Sequence, residues 1–112
     1  MAPKYIKRVT LFKIPKEDDT EAVLAEYDIL RKTAEKDGKP YIVANEARRI
    51  ENAAEERAQG YTLISITTFK SKEDYDYYDK QCAAHAKLRE FATSRRTGFA
   101  TLQLESDLGV GP

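Results

Sequence analysis

Residues 60–85 read GYTLISITTFKSKEDYDYYDKQCAAH, and this stretch decides the fold. Tyr61 to Phe69 is dense in isoleucine, threonine, tyrosine and phenylalanine, the side chains that suit a pleated, half-buried surface, so it predicts a strand. Ser71 follows at once, with Asp74 three positions on, which approximates a capping box and predicts the start of a helix. Tyr75 and Tyr78 then share one side of that helix, while Tyr77 points elsewhere. The helical pattern breaks near Gln81 and resumes as a second segment, Ala83 to Ser94, anchored by Leu88 and Phe91. The stretch closes on His85, the chain's single histidine. Histidine is the side chain whose ordinary pKa lets it take and give protons near neutrality.

Working outward, Tyr5 to Ile14 predicts a first strand with two unlike faces. Ile6, Arg8, Thr10, Phe12 and Ile14 point one way, and Lys7, Val9, Leu11 and Lys13 the other. Pro15 ends the strand. An acidic turn leads to a helix whose N-cap is predicted at Asp19 or Thr20. Val23, Tyr27, Leu30 and Ala34 recur at helical spacing, widened by Leu24. Asp37-Gly38-Lys39-Pro40 is predicted to stop that helix, with glycine at the left-handed C-terminal position. Tyr41 to Ala47 predicts the second strand, Arg48 to Gly60 a loop with a turn of helix, and Phe99 to Leu104 the last strand.

The order β-α-β-β-α-β defines an α+β, ferredoxin-like fold with a four-stranded antiparallel sheet. The chain is expected to form one domain over residues 1–112, with an ordered core over about 4–105 and a flexible tail at 106–112. Helices on one side leave the other sheet face bare. Val9, Leu11, Ile64 and Ile66 are expected on it, a set too apolar to leave in water. Pairing two such faces gives a homodimer that approaches a closed α/β barrel.

Lysines and arginines number 19, equal to the 19 aspartates and glutamates, so the chain lacks the basic excess that captures nucleic acid or an anionic membrane. The basic pairs Arg48-Arg49 and Arg95-Arg96 read as solvated faces. No apolar run approaches the roughly 20 residues that span a bilayer. The opening MAPKYIKRVTLFKIP has no signal-peptide pattern, and the single cysteine, Cys82, suits a reducing compartment, so a cytoplasmic location is expected. One histidine and one cysteine do not make a zinc site, and there is no glycine-rich phosphate loop. No metal and no cofactor is expected.

With these elements in place the chain resembles the stress-responsive α/β-barrel family, the dimeric A/B barrel proteins, and has an olivetolic acid cyclase-like fold. The resemblance runs from the opening strand RVTLFKI to the last strand and is strongest in residues 60–85. There the family shows glycine-tyrosine-threonine, a strand, phenylalanine, a capped helix, tyrosine and a closing proline-alanine-histidine. This chain departs from it at three places. Arg8 stands where many members have a histidine, and Leu63 where the family has another. Cys82-Ala83-Ala84-His85 replaces histidine-proline-alanine-histidine, with one residue inserted between Tyr78 and His85.

The resemblance implies a cavity between sheet and helices for a small hydrophobic or aromatic ligand, with His85 and Tyr78 as catalytic candidates. Arg8, Thr10, Phe12, Tyr27 and Ser65 are the candidate substrate-binding residues. A neutral histidine would remove a proton α to a carbonyl, and a phenol would orient that carbonyl or stabilise the enolate, as in a cofactor-free polyketide cyclase. Arg8 could bind a ligand's carboxylate or enolate, or sit paired to a glutamate. Two other readings stand beside catalysis: a non-catalytic, stress-associated dimer in which His85 merely caps a helix end, and a member of the cofactor-independent monooxygenases or haem-degrading enzymes of the wider superfamily.

Overall fold

The computed structural model describes residues 4–109. Strands β1 (Tyr5–Lys13), β2 (Ala44–Arg49), β3 (Leu63–Phe69) and β4 (Gly98–Ser106) form one antiparallel sheet in the order β2-β3-β1-β4. Helices α1 (Glu17–Thr33), α2 (Lys72–Lys80) and α3 (Ala83–Thr93) are the helical segments. The fold is therefore the α+β, ferredoxin-like arrangement expected, with its second helix split in two.

Alternation in β1 sorts its side chains as read from the sequence. Ile6, Arg8, Thr10 and Phe12 are buried toward the helices, and the residues between them are half-exposed. Val23, Tyr27, Leu30 and Ala34 of the α1 stripe pack into the core with Phe12, Leu63, Phe69 and Leu88. Complete burial of Val23 or Leu30 contributes about 2 kcal/mol each against the exposed state. Tyr41 and Phe69 stack at 6.2 Å, and Tyr77 meets Tyr41 edge-on at 5.2 Å.

On the opposite face, the register sets Val9 against Ile66 and Leu102, and Leu11 against Ile64 and Ala100. The apolar set is wider than expected, because Leu102 and Leu104 join it and are 56% and 45% exposed. The helices also leave β4 bare on both sides, since every second residue of it is as open as its neighbours.

Element ends differ from the sequence reading for identifiable reasons. Helix α1 begins at Glu17, before the caps expected at Asp19 or Thr20. Glu17, Asp18 and Asp19 occupy its first turn, where carboxylates favour the positive helix end, and no side chain caps it. The helix stops at Thr33, ahead of Gly38. Asp37 and Gly38, at φ 55° and 76°, instead form a two-residue left-handed turn closing the Lys36–Lys39 bridge. Strand β2 lies three residues later than expected at its start, because Tyr41 turns its ring into the aromatic cluster while Arg48 and Arg49 take up the pairing with Ile64 and Leu63. A charged edge strand of this kind also resists pairing with other chains. The 48–60 segment holds one short 3-10 turn, Glu56–Ala58. Strand β4 runs two residues further than expected, to Ser106, and the rest of the predicted tail beyond Gly109 lies outside the described residues.

Candidate active site

The site is built around the break between α2 and α3. Ser71 accepts the Asp74 N–H at 3.1 Å and starts α2, as the capping pattern predicts. At its far end the backbone N–H groups of Gln81 and Cys82 both donate to the Tyr77 carbonyl, at 2.7 and 2.9 Å. The Tyr78 carbonyl is thereby left without the backbone donor that a continuing helix would give it. His85, in the first turn of α3, fills this role: its Nδ1 lies 2.8 Å from the Tyr78 carbonyl oxygen.

That contact settles the tautomer. A carbonyl only accepts, so Nδ1 carries the proton and Nε2 holds the lone pair. Arg89 Nη2 also stands 3.2 Å from Nδ1, but two donors cannot bond each other, and this guanidinium instead donates to the Asp79 carbonyl at 2.7 Å. The imidazole is only 5% exposed and lies flat on the Tyr78 ring, with centroids 3.8 Å apart and planes 16° apart. Burial pushes its pKa down to about 4. The Tyr78 carbonyl and Asp79 oppose this shift, while the nearby Arg8 and Arg89 charges add to it. A position at the positive end of α3 acts in the same direction. His85 is thus neutral at pH 7, with one ring nitrogen unprotonated.

A cavity of about 400 Å³ lies between the sheet and the helices, and His85 forms part of its wall. Arg8, Thr10, Phe12 and Tyr27, all expected from sequence, line it as well. Its outer side is formed by Phe99 and Thr101 of the uncovered strand β4. Tyr78 and Ser65 lie one layer deeper than the lining. The Tyr78 phenol is buried beside Thr67, and burial holds it well above the ordinary tyrosine pKa. The Tyr27 phenol is pushed up to about 12 by burial, against the pull of Ser65 and of the Arg8 charge. The residue inserted before His85 does not separate it from Tyr78, because the helix break absorbs it.

Arg8 is paired, though to an aspartate on α2 instead of the glutamate the sequence suggested. Its Nη1 donates to Asp79 at 2.7 Å, and its guanidinium lies 5.6 and 5.5 Å from the Tyr75 and Tyr78 ring centres. Burial alone would raise the Asp79 carboxyl, but Arg8, with help from Arg89, holds it below its ordinary value.

Seven lining residues escaped the sequence reading: the polar or aromatic Tyr75, Asp79, Arg89 and Arg96, and with them Leu88, Phe99 and Thr101. Helical spacing could have found two of them. Asp79 lies four residues after Tyr75, and Arg89 four after His85, so each shares a face with its predecessor. The Arg95-Arg96 pair is not a plain solvated face. Arg95 folds over the Phe91 ring at 3.6 Å, and Arg96 reaches over Phe99 at 4.2 Å into the cavity wall. Among the described residues, no three His, Cys, Asp or Glu side chains come together as metal ligands. Nor is any helix there long and apolar enough to cross a membrane.

Fold and site together define a ferredoxin-like domain with a sheet–helix cavity and a buried, neutral histidine. The chain belongs to the family described as the stress responsive A/B barrel domain, whose model matches residues 6–99. A curated relative, a fusaristatin A biosynthesis cluster protein of Gibberella zeae, is 34% identical over 85 residues, covering 76% of this chain. The chain spans 60% of that relative's length. Among solved structures, the fold is similar to a hydroxynitrile lyase from Passiflora edulis, with TM-score 0.74 and 16% identity over 93% of this chain and 94% of that one. It is likewise similar to a dimeric ferredoxin-like protein of unknown function from Thermobifida fusca, with TM-score 0.72 and 13% identity over 90% of each chain.

Proposed function

We propose that this protein is a cofactor-free acid–base catalyst acting on a small aromatic or polyketide-like ketone held in the His85 cavity. The observation that carries the reading is the 2.8 Å contact of His85 Nδ1 with the Tyr78 carbonyl: with Nδ1–H donated there, Nε2 is an unprotonated base on a ring that lines a ligand-sized cavity. In the reaction, Nε2 takes a proton from the carbon α to the carbonyl. The C–H bonding pair moves into the enolate, and the charge collects on the carbonyl oxygen. Arg8 uses Nη1 on Asp79, which leaves guanidinium N–H groups for that oxygen, and the Tyr27 phenol shares the same wall. Burial, Arg8 and Arg89 disfavour the imidazolium, so the Tyr78 carbonyl and Asp79 offset only part of that cost. The imidazolium, once formed, readily returns the proton to carbon or to a leaving oxygen. Tyr78 acts here as a positioning residue, through its carbonyl and its stacked ring.

The reading includes a homodimer through the open sheet face, supported by the apolar set on that face and by the dimeric description of the Thermobifida relative. It also includes a cytoplasmic setting, where Cys82 stays reduced.

Acetophenone in buffered D2O tests the chemistry, with loss of the acetyl methyl signal followed by proton NMR. General-base assistance supplies about 10²–10⁴-fold. Wild-type protein is expected to accelerate exchange on that scale, and His85→Gln, which keeps a side-chain amide for the Tyr78 carbonyl, is expected to lose it. Equal exchange rates for the two proteins would remove His85 as the base.

A further inference from the structure

The cavity wall carries more positive charge than a neutral ketone can use. Three guanidinium groups line it, those of Arg8, Arg89 and Arg96, against one carboxylate, Asp79. This is a local excess, since acidic and basic residues balance over the whole chain. The single carboxylate is also shared, at 2.7 Å from Arg8 and 3.8 Å from Arg89. Arg96 has no carboxylate within ion-pair distance among the described residues. Its guanidinium lies over the Phe99 ring at 4.2 Å, half-buried, where the cavity meets the bare strand β4.

The arrangement is graded. Arg8, with a side chain 10% exposed, is deep and compensated. Arg89, with a side chain 51% exposed, is partly compensated. Arg96 stands at the outer wall, and among the described residues no side chain or carbonyl accepts a hydrogen bond from its guanidinium. The base itself is uncharged and contributes nothing to the balance. Half-buried cations near an apolar ring attract an anion more strongly than they would in water, and a guanidinium holds a carboxylate through two parallel hydrogen bonds. Phe99, 53% exposed, adds apolar surface for a ring next to that charge.

We infer that the cavity selects an aromatic keto acid: the ketone end lies at His85 and Arg8, and a carboxylate on the far side of the ring is held by Arg96 with Arg89 beside it. This rests on the proposed function for the position of the ketone, and it names the substrate class and a specificity residue for that site. Arg96 touches no reacting atom in this arrangement, so its effect is on binding.

The test is a matched pair of ligands, 4-acetylbenzoate and its methyl ester, titrated at neutral pH. Binding is followed through the Hε1 signal of the single histidine and by calorimetry. The expected result is binding of the acid at least about tenfold tighter than the ester. Arg96→Gln is expected to bring the two within about threefold by weakening the acid alone, with Arg96→Lys restoring part of the preference. Binding of both ligands with no preference for the acid overturns the inference and leaves the cavity reading standing. An acid preference that survives Arg96→Gln overturns the assignment of Arg96. Binding of neither, with no movement of the histidine signal, overturns the inference together with the proposed function. Acetyl-methyl exchange that follows His85 while Arg96→Gln changes only the concentration dependence separates the catalytic role from the binding role.

Discussion

Replacing His85 by asparagine should flatten the acid limb of this protein's stability curve. The magnitude follows from the burial of the imidazole, whose pKa falls from 6.5 to about 4 on folding. The unfolded chain therefore takes up a proton near pH 6.5 that the folded chain refuses until about pH 4. A depressed histidine contributes its full stability above the unfolded pKa and loses it as pH falls toward the folded one. Between those limits the slope is about 1.4 kcal/mol per pH unit, so the total loss is about 3 kcal/mol. This is a large part of the stability of a small domain. The groups facing His85 set the size of the effect: Arg8 and Arg89 oppose protonation, while Asp79 and the Tyr78 carbonyl favour it.

Asparagine suits the test because its amide N–H can replace Nδ1–H at the Tyr78 carbonyl, while no proton is taken up in this range. Losing the ring stack on Tyr78 costs about 1 kcal/mol at every pH, so only the offset between the two curves should reflect it. Urea unfolding at fixed protein concentration, followed by circular dichroism between about pH 7.5 and 4.5, gives both curves. Carboxylates that titrate in both proteins cancel in the difference. The expected difference grows as pH falls from about 6.5 and levels off near 4. Proton NMR checks the cause directly, because a chain with one histidine gives one Hε1 titration. Parallel stability curves, or an Hε1 midpoint near 6.5, would refute the argument that burial holds the ring neutral.

Two further outcomes are expected. Asp79→Asn should cost about 2 kcal/mol by leaving Arg8, with its 10% exposed side chain, short of a charged acceptor, and less than about 1 kcal/mol in an Arg8→Met background. Urea midpoints of the four proteins measure both values, and an unchanged cost in the double variant would show that the Arg8 pair is not its source. Ile66→Asp should convert a dimer of twice 12.8 kDa into a monomer by light scattering, since Ile66 lies beside Val9 in the middle of the open face. A variant that stays dimeric would place the interface elsewhere.

What was legible in the sequence was whatever depends on periodicity. The two faces of β1 follow from strict alternation, and the α1 stripe from helical spacing, so both were readable without any tertiary information. Arg8, Thr10, Phe12, Tyr27 and His85 share the cavity wall because these patterns point their side chains to the helix side. The ends of elements were less legible, because they depend on competition. Tyr41 looked like strand, yet an aromatic cluster with Phe69 and Tyr77 claimed its ring, and the pairing moved on to polar residues. Gly38 looked like a helix stop, yet its left-handed backbone serves the turn after the helix. Arg96 was illegible because its position depends on where β4 meets β1, a long-range register that no local pattern contains.

The split between α2 and α3 connects these points. A continuous helix would satisfy the Tyr78 carbonyl with the Cys82 N–H, and His85 would have no bond to fix its tautomer. Because Cys82 donates to Tyr77 instead, the orphan carbonyl takes the imidazole proton, and the nitrogen left unprotonated belongs to a ring in the cavity wall. A structural cap and a catalytic base are therefore compatible roles for the one side chain, since capping uses Nδ1 and chemistry would use Nε2. The same reasoning explains why stability alone cannot decide between them: removing His85 disturbs the cap whatever Nε2 does. Substitutions that keep an amide N–H for Tyr78 while removing the base, His85→Asn for stability and His85→Gln for exchange, separate the two roles.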